Sequence, residues 1–88
     1  MNVRFKRRFL KELAKVPASP RKEVETFVFE KLPAAKTLSE LENLEAMKGY
    51  HGFYKVRFGD WRLGLRFEKD TLSVERILHR KEIYRYFP

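Results

Sequence analysis

The stretch YKVRFGDWRLGLRF, residues 54–67, decides the fold. Val56 and Phe58 alternate with Lys55 and Arg57 before Gly59-Asp60, and Trp61, Leu63, Leu65 and Phe67 alternate with Arg62, Gly64 and Arg66 after it. Period-two alternation on both sides of a Gly-Asp pair reads as two antiparallel strands joined by a two-residue turn. Pairing outward from the turn sets Phe58 against Trp61, Arg57 against Arg62, Val56 against Leu63 and Lys55 against Gly64. Like charges directly opposite cost a few tenths to ~1 kcal/mol, so the Arg57–Arg62 pair either awaits an anion or is left to water.

Toward the C-terminus, a turn at Lys69-Asp70 leads into TLSVERILHR, residues 71–80, the third strand of a meander. Leu72, Val74 and Leu78 share one face with Arg76 as the odd member, while Ser73, Glu75, Ile77 and His79 share the other. A two-residue turn here too would place Phe67 opposite Leu72, Leu65 opposite Val74, Gly64 opposite Glu75 and Arg62 opposite Ile77. The polar face then carries Lys55, Arg57, Arg62, Arg66 and Glu75, with His79 one step beyond Ile77. Gly64 is expected to leave a notch without a side chain between Lys55 and Glu75, suited to a phosphate and a proton transfer. Each residue has a plainer reading: a solvated basic face, a Lys55–Glu75 cross-strand ion pair, a structural histidine at a strand end, and Tyr84 and Tyr86 as aromatic anchors. His51, in a glycine-flanked loop, is weaker still as a catalyst.

Toward the N-terminus, Asn2–Phe5 reads as a short strand, after which Phe9, Leu10, Leu13 and Val16 recur at helical spacing until Pro17. In SPRKEVETFVFEKLP, Ser19 is a candidate N-cap and Pro20 a first-turn residue. Val24, Phe27, Val28 and Leu32 form one face of a helix expected to end at Pro33. Thr37 and Glu40 have capping-box spacing, and Leu38, Leu41, Leu44 and Met47 recur every three residues, predicting helical turns before Gly49 and Gly52. The expected architecture is α+β: one domain over residues 1–88, an antiparallel sheet with two N-terminal helices packed on one face.

Charge narrows the partner. Twenty Lys and Arg against twelve Asp and Glu leave +8, which favours a polyanion or an acidic protein. The chain has no cysteine, which excludes disulfides and thiolate zinc. No apolar run is long enough to span a bilayer, so a cytoplasmic location without membrane contact is expected. No metal-ligand cluster, phosphate-binding glycine loop or nucleophile elbow is present, which disfavours nucleotide hydrolases and zinc enzymes, and no cofactor is expected.

The hairpin with Arg62 after an aromatic, an acidic turn, a strand, and LHRKEIYRYF with its HR closely followed by Tyr84 resemble the RelE/ParE superfamily of toxin-antitoxin toxins over essentially the whole chain. The resemblance implies a twisted antiparallel sheet and two N-terminal helices. For the RelE-like branch it implies a ribosome-dependent ribonuclease that cuts mRNA and is blocked by a cognate antitoxin wrapped around it. Arg62 then falls on the arginine at the scissile phosphate and Lys55 and Arg57 on the strand's basic pair. His79 or Arg80 falls on the basic position ending the last strand, and Tyr84 on the C-terminal tyrosine. Lys55, Arg57, Arg62, His79 and Tyr84 form the expected catalytic set, with Arg66, Glu75, Arg80 and Lys81 expected to contact RNA. ParE-like relatives that poison DNA gyrase share the fold without this set, and a basic RNA- or ribosome-binding module is the third reading.

Cleavage of RNA by its own 2′-OH needs a base for that proton, cations for the charge on the phosphorane, and an acid or cation at the leaving 5′-oxygen. The planar donors of Arg57 and Arg62 suit phosphate oxygens. His79 suits proton transfer, Lys55 or Glu75 suits the base, and Tyr84 suits orientation of the nucleotide. No metal enters this scheme.

Overall fold

The computed structural model describes residues 1–88. Five strands form one sheet in the order β1-β5-β4-β3-β2: β1 (Asn2–Phe5), β2 (Glu45–Ala46), β3 (Phe53–Phe58), β4 (Trp61–Glu68) and β5 (Thr71–His79). The β3–β4 pairing matches the expected register throughout, including Arg57↔Arg62 and Lys55↔Gly64. Gly59 has φ 60 and Asp60 does not share the positive φ, so the turn is type II′, which glycine enters without strain. Lys69 and Asp70 both have positive φ, at 50 and 58, the signature of type I′.

Three features depart from the expected sheet. First, β1 runs parallel to β5, with Asn2↔Thr71 through Phe5↔Val74, so the sheet is mixed. A parallel neighbour needs a crossover, and the helices after β1 provide it. Second, β2 is a two-residue edge strand paired to β3 through Glu45↔Lys55 and Ala46↔Tyr54, too short to leave a periodicity in sequence. Third, a bulge falls opposite Gly64/Leu65: Leu65 pairs with Val74, but Gly64 pairs with Arg76, Leu63 with Ile77 and Arg62 with Leu78. Glu75 is the extra residue. One inserted residue exchanges the faces of all that follow, so Ile77 is buried in the main core, whereas Leu78 packs on the satellite cluster of the other face.

Helix α1 (Arg7–Leu13) buries Phe9 and Leu13 but leaves Leu10 exposed, against expectation. Helix α2 (Ala18–Thr26) begins after Pro17 rather than Ser19, placing Pro20 in the first turn, where a missing N–H is harmless. A wider π turn, Phe27–Lys31, and a last turn, α3 (Leu32–Ala34), continue it. Pro33 sits in that last turn, and the ladder widens just before this residue, which has no N–H and crowds the carbonyl four residues back. The Thr37/Glu40 capping box forms as expected around the single turn Leu38–Glu40. Leu38, Leu41 and Leu44 pack on the main core; Met47 does not join them.

The main core lies between the helices and one sheet face, joining Phe9, Leu13, Val24, Val28 and Leu32 to Val56, Leu63, Leu65, Leu72, Val74 and Ile77. On the opposite face a short C-terminal helix, α4 (Ile83–Tyr86), makes a satellite cluster of Met47, Ile83 and Phe87 against Phe53 and Leu78. No helix is long and apolar enough to cross a membrane.

Candidate active site on the outer sheet face

Successive residues of a strand point to opposite faces. With Val56, Leu63 and Leu65 committed to the helix-side core, Lys55, Arg57, Arg62 and Arg66 project from the outer face. Helix α4 lies on that face and brings Tyr84 to Lys55, whose ammonium Nζ donates to the phenol oxygen across 29 residues of sequence. Tyr84 is 64% exposed, so its ring stands in solvent beside the basic strands. Lys55, Arg57, Arg62 and Tyr84 therefore form one cluster.

The Arg57–Arg62 repulsion is relieved within the protein, by different means on each side. Arg57 Nε lies 3.1 Å from Glu45 Oε1, a carboxylate supplied by β2. Arg62 Nη1 donates to the carbonyls of Gly59 at 2.7 Å and Trp61 at 3.0 Å. These bonds fix the Arg62 guanidinium over the turn and leave its remaining N–H groups available to an anion. Glu45 carried no sequence signal, because its role depends on a strand of two residues.

The bulge corrects the expected notch. Arg76, not Glu75, lies opposite Gly64, so Lys55 and Glu75 do not flank it. Nor is the space above Gly64 open: a Cβ there would meet three ring atoms of Phe87 at 2.9 Å. The missing side chain admits Phe87, which ties the C-terminus to the sheet. Glu75 instead lines a polar groove of about 280 Å³ with Arg4, Lys6, Arg66 and Ser73. Arg66 pairs with Glu68 at 3.2 Å and sits 5.4 Å from the Phe53 ring.

His79 is also displaced. Past the bulge it pairs with Trp61, its ring edge-on to the indole at 5.6 Å, while Arg62 pairs with Leu78. His79 and Arg62 thus leave the sheet on opposite faces. The His79 Nδ1 accepts from the backbone N–H of Lys81 at 3.2 Å, which shapes the chain leaving β5. Arg80 is bound to the β3–β4 turn, its Nε 3.4 Å from Asp60 Oδ1 and its backbone N–H donating to Asp60 O at 2.7 Å. Lys81 is exposed. No three His, Asp or Glu side chains gather closely enough to hold a metal ion.

The fold is thus a mixed five-stranded sheet with helices on one face and a basic, tyrosine-bearing cluster on the other. The model of the ParE toxin of type II toxin-antitoxin systems matches residues 3–84. The chain belongs to the RelE/ParE toxin family and is RelE-like. It is 38% identical over 89 residues to Toxin RelE3 of Methanocaldococcus jannaschii, with 100% of each chain covered. It superposes on a chain of the crystal structure of the RelB-RelE antitoxin-toxin complex from Methanococcus jannaschii with a TM-score of 0.78 and 35% identity, covering 97% of this chain and 99% of that one. The isolated E. coli RelE toxin shares the fold at a TM-score of 0.65 and 20% identity, over 89% of this chain and 82% of that one.

Proposed function

We propose that this toxin is a ribosome-dependent mRNA endoribonuclease that arrests translation, and that a cognate antitoxin covers its basic outer face. The observation that carries the reading is the meeting of Lys55 and Tyr84 beside the Arg57–Arg62 pair. Those groups supply what cleavage by the 2′-OH requires. Arg57 and Arg62 bind the non-bridging oxygens of the scissile phosphate and offset the charge that grows there. Lys55 and Tyr84 serve the two proton transfers: the unprotonated amine of Lys55 takes the proton that leaves the attacking 2′-oxygen, the Tyr84 hydroxyl gives one to the departing 5′-oxygen, and the proton on Lys55 then returns to Tyr84 across their contact. The 2′-oxygen to phosphorus bond forms as the phosphorus to 5′-oxygen bond breaks, giving a 2′,3′-cyclic phosphate and a 5′-hydroxyl without an added metal. His79, on the other face, is left out of this scheme.

An antitoxin partner is supported by family membership and by the net charge of +8. The matched Methanococcus jannaschii structure is itself an antitoxin-toxin complex. An acidic or amphipathic antitoxin segment over Arg57 and Arg62 accounts for neutralisation, and its binding should weaken as salt rises.

The deciding experiment is cell-free translation with the purified toxin, with mRNA ends mapped by primer extension. Cuts that appear only in translated mRNA support the proposal. Intact mRNA together with a DNA-damage response on expression would place the toxin with the gyrase-directed ParE type instead.

A further inference from the structure

Arg76 is the one charged residue buried in the protein, at 9% exposure. Its Nε donates to Glu12 Oε2 at 2.9 Å and its Nη2 to the same oxygen at 2.5 Å, with Oε1 at 3.2 Å from Nε. The other face of the carboxylate is used too, since Glu12 Oε1 accepts the Ile77 N–H at 3.1 Å. That N–H lies on β5 beyond Val74, where β1 has ended, so α1 caps an otherwise unpaired stretch of strand. Burying a carboxylate and a guanidinium costs desolvation that their attraction often fails to recover, so such a pair is weak evidence of a stabilising role.

The guanidinium has a third contact. Its Nη1 lies 3.4 Å from the carbonyl oxygen of Tyr86, the last residue of α4, and its Cζ lies 5.5 Å from the Tyr86 ring. A four-residue helix is far below the length at which a helix persists alone, and its final carbonyls lack partners within the helix. A cation at that end satisfies one carbonyl and complements the helix dipole. The same turn carries Tyr84, whose phenol meets Lys55.

We propose that Arg76, held by Glu12, is a positioning residue that fixes α4 so that the Tyr84 phenol stays at Lys55. The chain of contacts runs from α1 through Glu12 and Arg76 to Tyr86, and so to the tyrosine of the site. This rests on the ribonuclease reading for its kinetic consequence, though not for its structural one. Arg57 and Arg62, which bind the phosphate, sit on β3 and β4 and do not depend on it. Loss of Arg76 should therefore reduce turnover and leave KM for programmed ribosomes nearly unchanged.

The test pairs Arg76→Met with Glu12→Gln, which removes both buried charges together while the Gln amide oxygen can still accept the Ile77 N–H. The expected result is a melting temperature near that of the wild type, single-turnover cleavage about 10- to 100-fold slower, KM within a few-fold, and faster hydrogen exchange at the Arg85 and Phe87 amides. Cleavage at the wild-type rate, or unchanged exchange at those amides, would overturn the proposal. If the double variant does not fold, Arg76→Lys, which keeps the charge on Glu12 but loses the forked donors, takes the same readouts. A wild-type protein that fails to cleave mRNA on ribosomes counts against the ribonuclease reading alone, and the exchange measurement then decides the role of Arg76.

Discussion

Phe87 occupies the space that Gly64 leaves empty, its ring 2.9 Å from where a Cβ would stand. The glycine in the middle of β4 is thus a socket for the C-terminus, and the segment it holds carries Tyr84 to Lys55. A residue that looked from the hairpin like part of a binding notch acts at one remove, through packing.

Gly64→Ala should push the Phe87 ring out of its seat. Overfilling a packed site costs about 1–3 kcal/mol, so the melting temperature should fall. Cleavage should fall by more than the unfolded fraction explains, because α4 shifts with the ring. Thermal melts and single-turnover rates on the same preparation check this; unchanged cleavage in a folded variant would separate Phe87 from the site.

Arg62→Ala removes the guanidinium held over the β3–β4 turn by the Gly59 and Trp61 carbonyls. Those bonds are at the surface or half-buried, so stability should change by no more than about 1 kcal/mol. Loss of a preorganised charge at the phosphate should slow cleavage by about 100-fold or more and relieve growth arrest on expression. Wild-type cleavage by this variant would remove Arg62 from the mechanism.

Lys55→Met and Tyr84→Phe should each slow cleavage, with Lys55→Met the more damaging because it removes the donor and its charge. Since the two groups meet directly, the double variant should fall short of the product of the single losses, as contacting residues that act together do. Fully multiplicative losses in a double-mutant cycle would show that the contact is incidental.

His79→Gln should leave ribosome binding intact and slow cleavage far less than the ~100-fold at which loss of a general acid or base begins. The variant gives up an edge contact with Trp61, a contribution of about 0.5–1.5 kcal/mol, which a melting curve will register. A 100-fold slower rate in a folded protein would restore the histidine to the chemistry.

The sequence by itself determined the β3–β4–β5 meander, both of its turns, the apolar face that meets the helices as far as Val74, and the pairing of Arg57 with Arg62. Each of these is written within a few residues, in alternation and in turn chemistry. Tertiary structure alone decided the parallel pairing of β1, the short β2 that brings Glu45 to Arg57, the seating of Phe87 on Gly64, and the Glu12–Arg76 pair 64 residues apart. Arg76 was the odd charge among the apolar residues of its strand, the single trace of the bulge. By adding one residue against Gly64, the bulge turns Ile77 into the core and leaves Arg76 opposite the glycine. Strand periodicity holds only while the ladder is unbroken, so one extra residue carried His79 away from Arg62 to Trp61, and long-range packing, which has no period in sequence, brought Tyr84 to Lys55 in its place.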